Sequence, residues 1–200
     1  MITDSHLILP DVFLGGTPKS GTTFLFDLLA QHPEIVPSNP KEPFFYVDKN
    51  CPSNQSLRLN AKSSYDQFFD AKKSKLHLDG TSQTIYQSEI LRVLEKASKQ
   101  PKMIVILREP ARRILSSFGY TKNNLGAVKS MGFKDYVDFL LKNDLEGLKK
   151  ECRGYQSFYS LSNELDYSNY AKYLAKWNKV LPNEKQCYIF LKPEILNHNL

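Results

Sequence analysis

Residues 12–23 read VFLGGTPKSGTT, and how this stretch folds decides the rest. Val12, Phe13 and Leu14 form a short apolar run that meets Gly15 and Gly16, the pattern of a buried strand entering a tight turn. The chain continues as FLFDLLAQH, where Phe24, Leu25, Leu28 and Leu29 fall at helical spacing until Pro33 stops the helix. A strand that turns directly into a helix aims backbone N–H groups at the helix N-terminus, which is a ready anion site. Gly16 and Gly21 have the spacing of the ATP-type loop G-x-x-x-x-G-K-[ST]. Thr22 stands where that loop has its lysine, and the lysine of this segment is Lys19, inside the loop.

Outward from this loop, MIVIL at 103–107 is the strongest strand signal, continuous and apolar as in a parallel strand covered on both faces. It ends at Arg108, where a magnesium-dependent nucleotidase needs an acidic residue. A basic residue there argues against a metal and for a second phosphate. Ile35-Val36, 76–78 and QCYIFL at 186–191 read as further strands. Helices are expected over 88–98, from Glu109-Pro110 to about Tyr120, through much of 133–179, and from Pro193. The polar stretch 48–60 reads as surface loop and 65–71 as a short helix. Strands alternating with helices predict an α/β fold of the P-loop type, three layers with a central, mostly parallel sheet flanked by helices. Ligands in such sheets bind beyond the C-terminal strand ends. The 200 residues are expected to form a single domain.

The formal charge of +6 and a pI near 9.1 suit an anionic ligand. No dense Lys/Arg block interleaves with aromatics, so a nucleic-acid partner is not expected. Composition excludes collagen, a coiled-coil rod and a disordered tail, and no internal repeat is visible. No run approaches the ~18 apolar residues of a membrane span. The N-terminus has Asp4 and no basic segment, and Pro10 and Asp11 break its apolar stretch, so no signal peptide is expected and the reading is cytoplasmic. Cys51, Cys152 and Cys187 are widely spaced, without a C-x-x-C pair or clustered histidines, and read as free thiols in a reducing compartment with no metal site. Nothing in the sequence speaks to oligomeric state.

These residues resemble the sulfotransferases that use 3′-phosphoadenosine 5′-phosphosulfate (PAPS). PKSGTT is similar to their 5′-phosphosulfate loop, which implies cofactor contacts from Lys19, Ser20, Gly21, Thr22 and Thr23. ILREPARRILSSF is similar to their 3′-phosphate segment, which implies that Arg108 and Ser116 hold that phosphate. HPEIVPSNPKEPFFY resembles the stretch after the first helix in carbohydrate sulfotransferases of the heparan sulfate type and their bacterial relatives, where a glutamate is the catalytic base; the matching residue is Glu42. A weaker echo lies at LDGTSQTIY, where some of those enzymes have a lysine and this chain has Gly80, leaving Thr81 and Ser82 as polar contacts. The family continues past its last strand into a segment closing over the adenine and 3′-phosphate, which this sequence is expected either to replace or to lack.

The resemblance implies metal-independent, in-line transfer of a sulfuryl group to an acceptor hydroxyl, on a carbohydrate by analogy with the Glu42 segment. Glu42 would take the hydroxyl proton, and Lys19 would offset charge on the bridging oxygen. The product nucleotide is 3′-phosphoadenosine 5′-phosphate (PAP). His77 is the alternative base. Arg112 and Arg113 read as a solvated helix face, with one of them helping the 3′-phosphate as the alternative, and Phe44, Phe45 and Tyr46 either wall the acceptor pocket or belong to the core. Two other functions stay open: a P-loop nucleotide kinase or NTPase, and a non-catalytic module that binds PAPS or a polyanion.

Overall fold

The computed structural model of the chain describes residues 9–57, 65–70 and 75–192. Five strands, β1 (Val12–Gly16), β2 (Ile35–Pro37), β3 (Leu76–Asp79), β4 (Lys102–Arg108) and β5 (Gln186–Leu191), form one sheet in the order β2-β3-β1-β4-β5. Every pairing is parallel. β1 lies at the centre, which explains why Phe13 and Leu14 are buried and why its sequence does not alternate. β5 is an edge, paired to β4 from Met103↔Gln186 to Arg108↔Leu191. The chain separates by its contacts into two compact units, one of Met1–Arg108 with Ala171–Leu200 and one of Glu109–Tyr170.

In the first unit, α1 (Thr22–Leu29) follows β1. Its inner stripe is Phe26 with Leu25 and Leu29, packed on Leu14, Leu78 and Ile106. Phe24 and Leu28 point outward instead, 75% and 52% exposed. Apolar residues at 24, 25, 28 and 29 with Phe26 cover a wider arc than one sheet face can bury, so the stripe centred on Phe26 takes the sheet. Inside the expected polar loop at 48–60, α2 (Pro52–Leu57) forms with proline at its first position. Asp48 is also structural: its carboxylate accepts from Ser88 N–H (2.9 Å) and Glu89 N–H (2.7 Å) at the start of α3 (Ser88–Leu94). It satisfies helix donors that have no intrahelical partner. The expected helix at 65–71 is a 3-10 turn at Tyr65–Phe68. The expected helix from Pro193 lies outside the described residues.

The second unit begins with α4 (Pro110–Gly119), capped by the Glu109 carboxylate, which accepts from Ala111 N–H (3.0 Å) and Arg112 N–H (2.8 Å). The chain then forms α5 (Phe133–Leu141), α6 (Leu145–Glu151), α7 (Tyr155–Ser162) and α8 (Glu164–Ser168). Ile114, Phe118, Tyr136, Leu148 and Leu161 make their shared core. Arg112 is exposed as expected, but Arg113 is fully buried. The turn of α4 puts it on the same face as Ile114 and Ser117. Burial of its charge is offset by Glu164, with Nη2 to Oε2 at 2.6 Å, and by donation to Ser168 Oγ at 2.7 Å. Ser117 Oγ donates to the other Glu164 oxygen at 2.6 Å.

Removing one partner of such a pair strands the other charge in a poor solvent. Glu164→Ala is expected to destabilise the protein by about 3–5 kcal/mol, read from the midpoint of urea unfolding. A midpoint equal to wild type would show that Arg113 reaches water.

α9 (Tyr170–Val180) belongs to the first unit from Ala171 on. Its Trp177 is buried and donates from Nε1 to the Ile85 carbonyl at 2.9 Å, and Tyr173 meets Tyr86 edge-on at 4.8 Å. Both contacts fix the 3-10 turn Thr84–Tyr86 that follows β3. Among the described residues no helix is long and apolar enough to cross a membrane.

Candidate active site

The turn between β1 and α1 is tied to the sheet at its start. Thr17 donates to the Ile106 carbonyl from its N–H (2.9 Å) and its hydroxyl (3.1 Å). Ser20 is buried beneath the turn, its hydroxyl 2.7 Å from that of Thr17 and its N–H donating to the Thr17 carbonyl at 3.2 Å. Thr17 and Ser20 therefore shape the loop from inside, which leaves Lys19, Gly21 and Thr23 on the outer side. Lys19 and Gly21 both adopt left-handed backbone, at φ 64° and 88°. For a lysine this is an uncommon conformation, and such alternation curls a chain into an anion-binding nest. Space around Gly21 is open: a Cβ there would meet nothing within 4 Å. Thr22 is buried as the first helical residue and Thr23 is exposed. By α-helix geometry the N–H groups of this first turn have no intrahelical acceptor.

Arg108 stands at the end of β4, the neighbour of β1. Its Nη1 donates to the Lys19 carbonyl at 2.9 Å. Two segments 89 residues apart in sequence are thus joined by a hydrogen bond. The loop, the helix N-terminus, Lys19 and Arg108 give a concentration of N–H groups and positive charge that fits a nucleotide carrying phosphates. Ser116 is half-buried on α4, in the second unit.

Glu42 lies on the segment after β2. Its Oε1 accepts from Lys41 Nζ at 3.0 Å, from Ser82 Oγ at 2.7 Å and, at the longer distance of 3.4 Å, from Ser82 N–H. The segment is docked on the end of β3: the Lys41 carbonyl accepts from Ser38 Oγ (2.8 Å) and Gly80 N–H (3.1 Å). Gly80 is required by this close approach, since a Cβ would lie 2.6 Å from the Phe26 ring and 2.8 Å from the Lys41 carbonyl oxygen. Gly16 has the same reason: its Cβ would lie 2.9 Å from the Ser82 carbonyl oxygen. Ser82 thus touches Glu42 with its hydroxyl and abuts the start of the phosphate-type loop with its backbone.

Asp79 and Tyr65 were not singled out by the sequence. Asp79 ends β3 and is buried; Oδ2 accepts from Tyr65 O–H (2.6 Å) and Oδ1 from Thr81 N–H (2.7 Å). Burial raises its carboxyl above the usual range, and the charge of Glu42 adds to this, against the lowering by Tyr65 and Thr81. Burial and the Asp79 charge hold the Tyr65 phenol well above its ordinary value. The signal was available: an acid at the C-terminal end of an apolar strand, LHLD, is the same kind of position as Arg108.

The other candidates have structural surroundings. His77 stacks on Phe69, centroids 4.6 Å apart, and its backbone N–H donates to Asp11 Oδ2 at 2.9 Å. Phe45 and Tyr46 side with the core, packing on Tyr65 at 5.0 and 5.1 Å in a cluster with Val36, Phe68 and Phe69. Phe44 is half-buried at φ 51°. Cys51 and Cys152 are buried, Cys187 is exposed, and all three are free. Among the described residues no cluster of His, Cys, Asp or Glu could hold a metal ion.

Comparison with known proteins matches residues 9–200 to the sulfotransferase domain family. The membrane-associated sulfotransferase kil1 of Dictyostelium discoideum is 28% identical over 152 residues, 76% of this chain and 31% of that protein. The heparan sulfate glucosamine 3-O-sulfotransferase 5 of Mus musculus is 24% identical over 190 residues, 88% of this chain and 46% of that protein. This chain therefore spans less than half the length of these curated relatives. A sulfotransferase crystal structure from Alicyclobacillus acidocaldarius superposes with a TM-score of 0.67 at 18% identity, covering 92% of this chain and 74% of that one, which is agreement in fold. With the family matching nearly the whole chain and the fold agreeing, the chain belongs to the sulfotransferase family.

Proposed function

We propose that this chain transfers the sulfuryl group of PAPS to a hydroxyl of a carbohydrate acceptor, with Glu42 as the base. One observation carries the reading: the Arg108 guanidinium bonded to the Lys19 carbonyl, which gathers positive charge and helix N–H groups where β1 and β4 end. PAPS bound there supplies the activated sulfuryl group and an anionic leaving group. Lys19 and the N–H groups of the first turn of α1 offset negative charge on the leaving oxygen as it develops, with no reorganisation needed. Arg108 holds the 3′-phosphate by charge-assisted hydrogen bonds, and Ser116 is the further 3′-phosphate contact that the family resemblance implies. Ser20 acts from beneath the loop, and Gly21, Thr22 and Thr23 offer their backbone to the 5′ side. Glu42 receives the proton of the acceptor hydroxyl, which is a poor nucleophile while it keeps that proton. The heparan sulfate relative supports a sugar hydroxyl as the acceptor. The three free cysteines support a reducing, cytoplasmic setting, and the family match over residues 9–200 supports reading the 200 residues as a single sulfotransferase domain.

Calorimetric titration with PAP, with and without magnesium, tests the cofactor. Binding is expected to be tight and independent of the metal, and Arg108→Ala to weaken it about ten- to a hundredfold through the loss of charged hydrogen bonds. PAP binding no better than ATP sinks the reading and favours a P-loop nucleotidase. Transfer from radiolabelled PAPS to a panel of glycosaminoglycan oligosaccharides, simple sugars and phenols tests the acceptor. Binding of PAP without transfer to any of them favours a non-catalytic module.

A further inference from the structure

Among the described residues, every hydrogen bond donated to the Glu42 carboxylate falls on a single oxygen. Lys41 Nζ, Ser82 Oγ and Ser82 N–H all converge on Oε1. Among the described residues none donates to Oε2. The clamp is built from two sides. Ser82 is buried, its carbonyl lies against Gly16, and it precedes the 3-10 turn whose Ile85 carbonyl accepts from Trp177. Lys41 comes from the docked segment itself, its carbonyl pinned by Ser38 and Gly80 and its Nζ 5.8 Å from the centre of the Phe26 ring. A lone carboxylate on a half-exposed loop would rotate freely and present either oxygen.

We infer that Ser82 and Lys41 are positioning residues that hold Glu42 by Oε1 and reserve Oε2 for the acceptor hydroxyl. The inference rests on the reading of Glu42 as the base. In the step it serves, the acceptor O–H bond breaks and its proton goes to Oε2. The acceptor oxygen forms a bond to sulfur, and the bond from sulfur to the bridging oxygen breaks, its electron pair leaving with the nucleotide. Ser82 and Lys41 keep their own protons throughout. Their contribution is orientation, and a base misplaced by about 1 Å can cost on the order of a hundredfold in rate.

The test uses the acceptor turned over in the transfer panel. Ser82→Ala is expected to lower kcat about ten- to a hundredfold, with PAP affinity and thermal midpoint unchanged. Lys41→Met, on the more exposed side of the clamp, gives the same split between kcat and PAP affinity, and it decides the matter if Ser82→Ala does not fold. In a Glu42→Gln background, Ser82→Ala costs no further activity, because a residue acting only through the base has nothing left to orient. A kcat within about twofold of wild type in both variants, loss of PAP affinity in step with kcat, or an undiminished effect in the Glu42→Gln background overturns the inference. If Glu42→Gln itself transfers at the wild-type rate, the base reading has failed. If Glu42→Gln is impaired and both positioning variants are not, only the clamp has failed.

Discussion

Glu42→Gln is expected to lower kcat for sulfuryl transfer about 100- to 10,000-fold, the range that general-base catalysis contributes. The substitution keeps size, shape and an Oε1 that can still accept from Ser82 and Lys41, so the docked segment stays in place. What it removes is the capacity to take a proton. PAP should therefore bind as tightly as to wild type, since its proposed contacts lie on the loop and Arg108. Transfer assays with radiolabelled PAPS read the first quantity and calorimetry the second. Undiminished transfer would remove Glu42 from the mechanism. His77, the alternative base by sequence, is stacked on Phe69 in the structure, so His77→Gln is not expected to reproduce the loss.

Lys19→Met is the second large effect. It is expected to lower kcat about 100- to 1,000-fold, the cost typical of losing one preorganised donor to a developing charge. The loop itself should persist. Its supports are the Thr17 and Ser20 contacts and the Arg108 bond to the carbonyl of residue 19, which any side chain retains. Binding of PAP should weaken far less than kcat falls, because the missing charge matters most as the bridging oxygen becomes negative. Equal losses in PAP affinity and kcat would instead make Lys19 a ground-state binding residue.

Much of the fold was legible because its signals are local. Strand, turn and helix over 12–29 follow from an apolar run, two glycines and a proline stop, all within one contiguous stretch. Arg108 was legible for the same reason, as the residue that ends the most apolar strand. Errors arose where a residue's surroundings come from far along the chain. Arg113 reads as half of a solvated Arg-Arg pair until Glu164 and Ser168 are brought to it. Asp48 reads as loop until the start of α3 arrives at its carboxylate. Phe24 and Leu28 fit an apolar helix face until the sheet selects the stripe around Phe26.

By itself, then, the sequence determined the alternating α/β order, the phosphate-type loop with its lysine displaced to position 19, and the basic strand end at Arg108. Periodicity, glycine placement and proline stops act over a few residues, and the chain carries them wherever it goes. The tertiary structure alone decided that Arg108 meets the backbone of Lys19, that Ser82 and Lys41 converge on one oxygen of Glu42, and that Gly16 and Gly80 are the places of closest approach. Those facts depend on parallel strands distant in sequence ending side by side, and a carboxylate's hydrogen-bond partners are set by that packing and not by its neighbours in the chain.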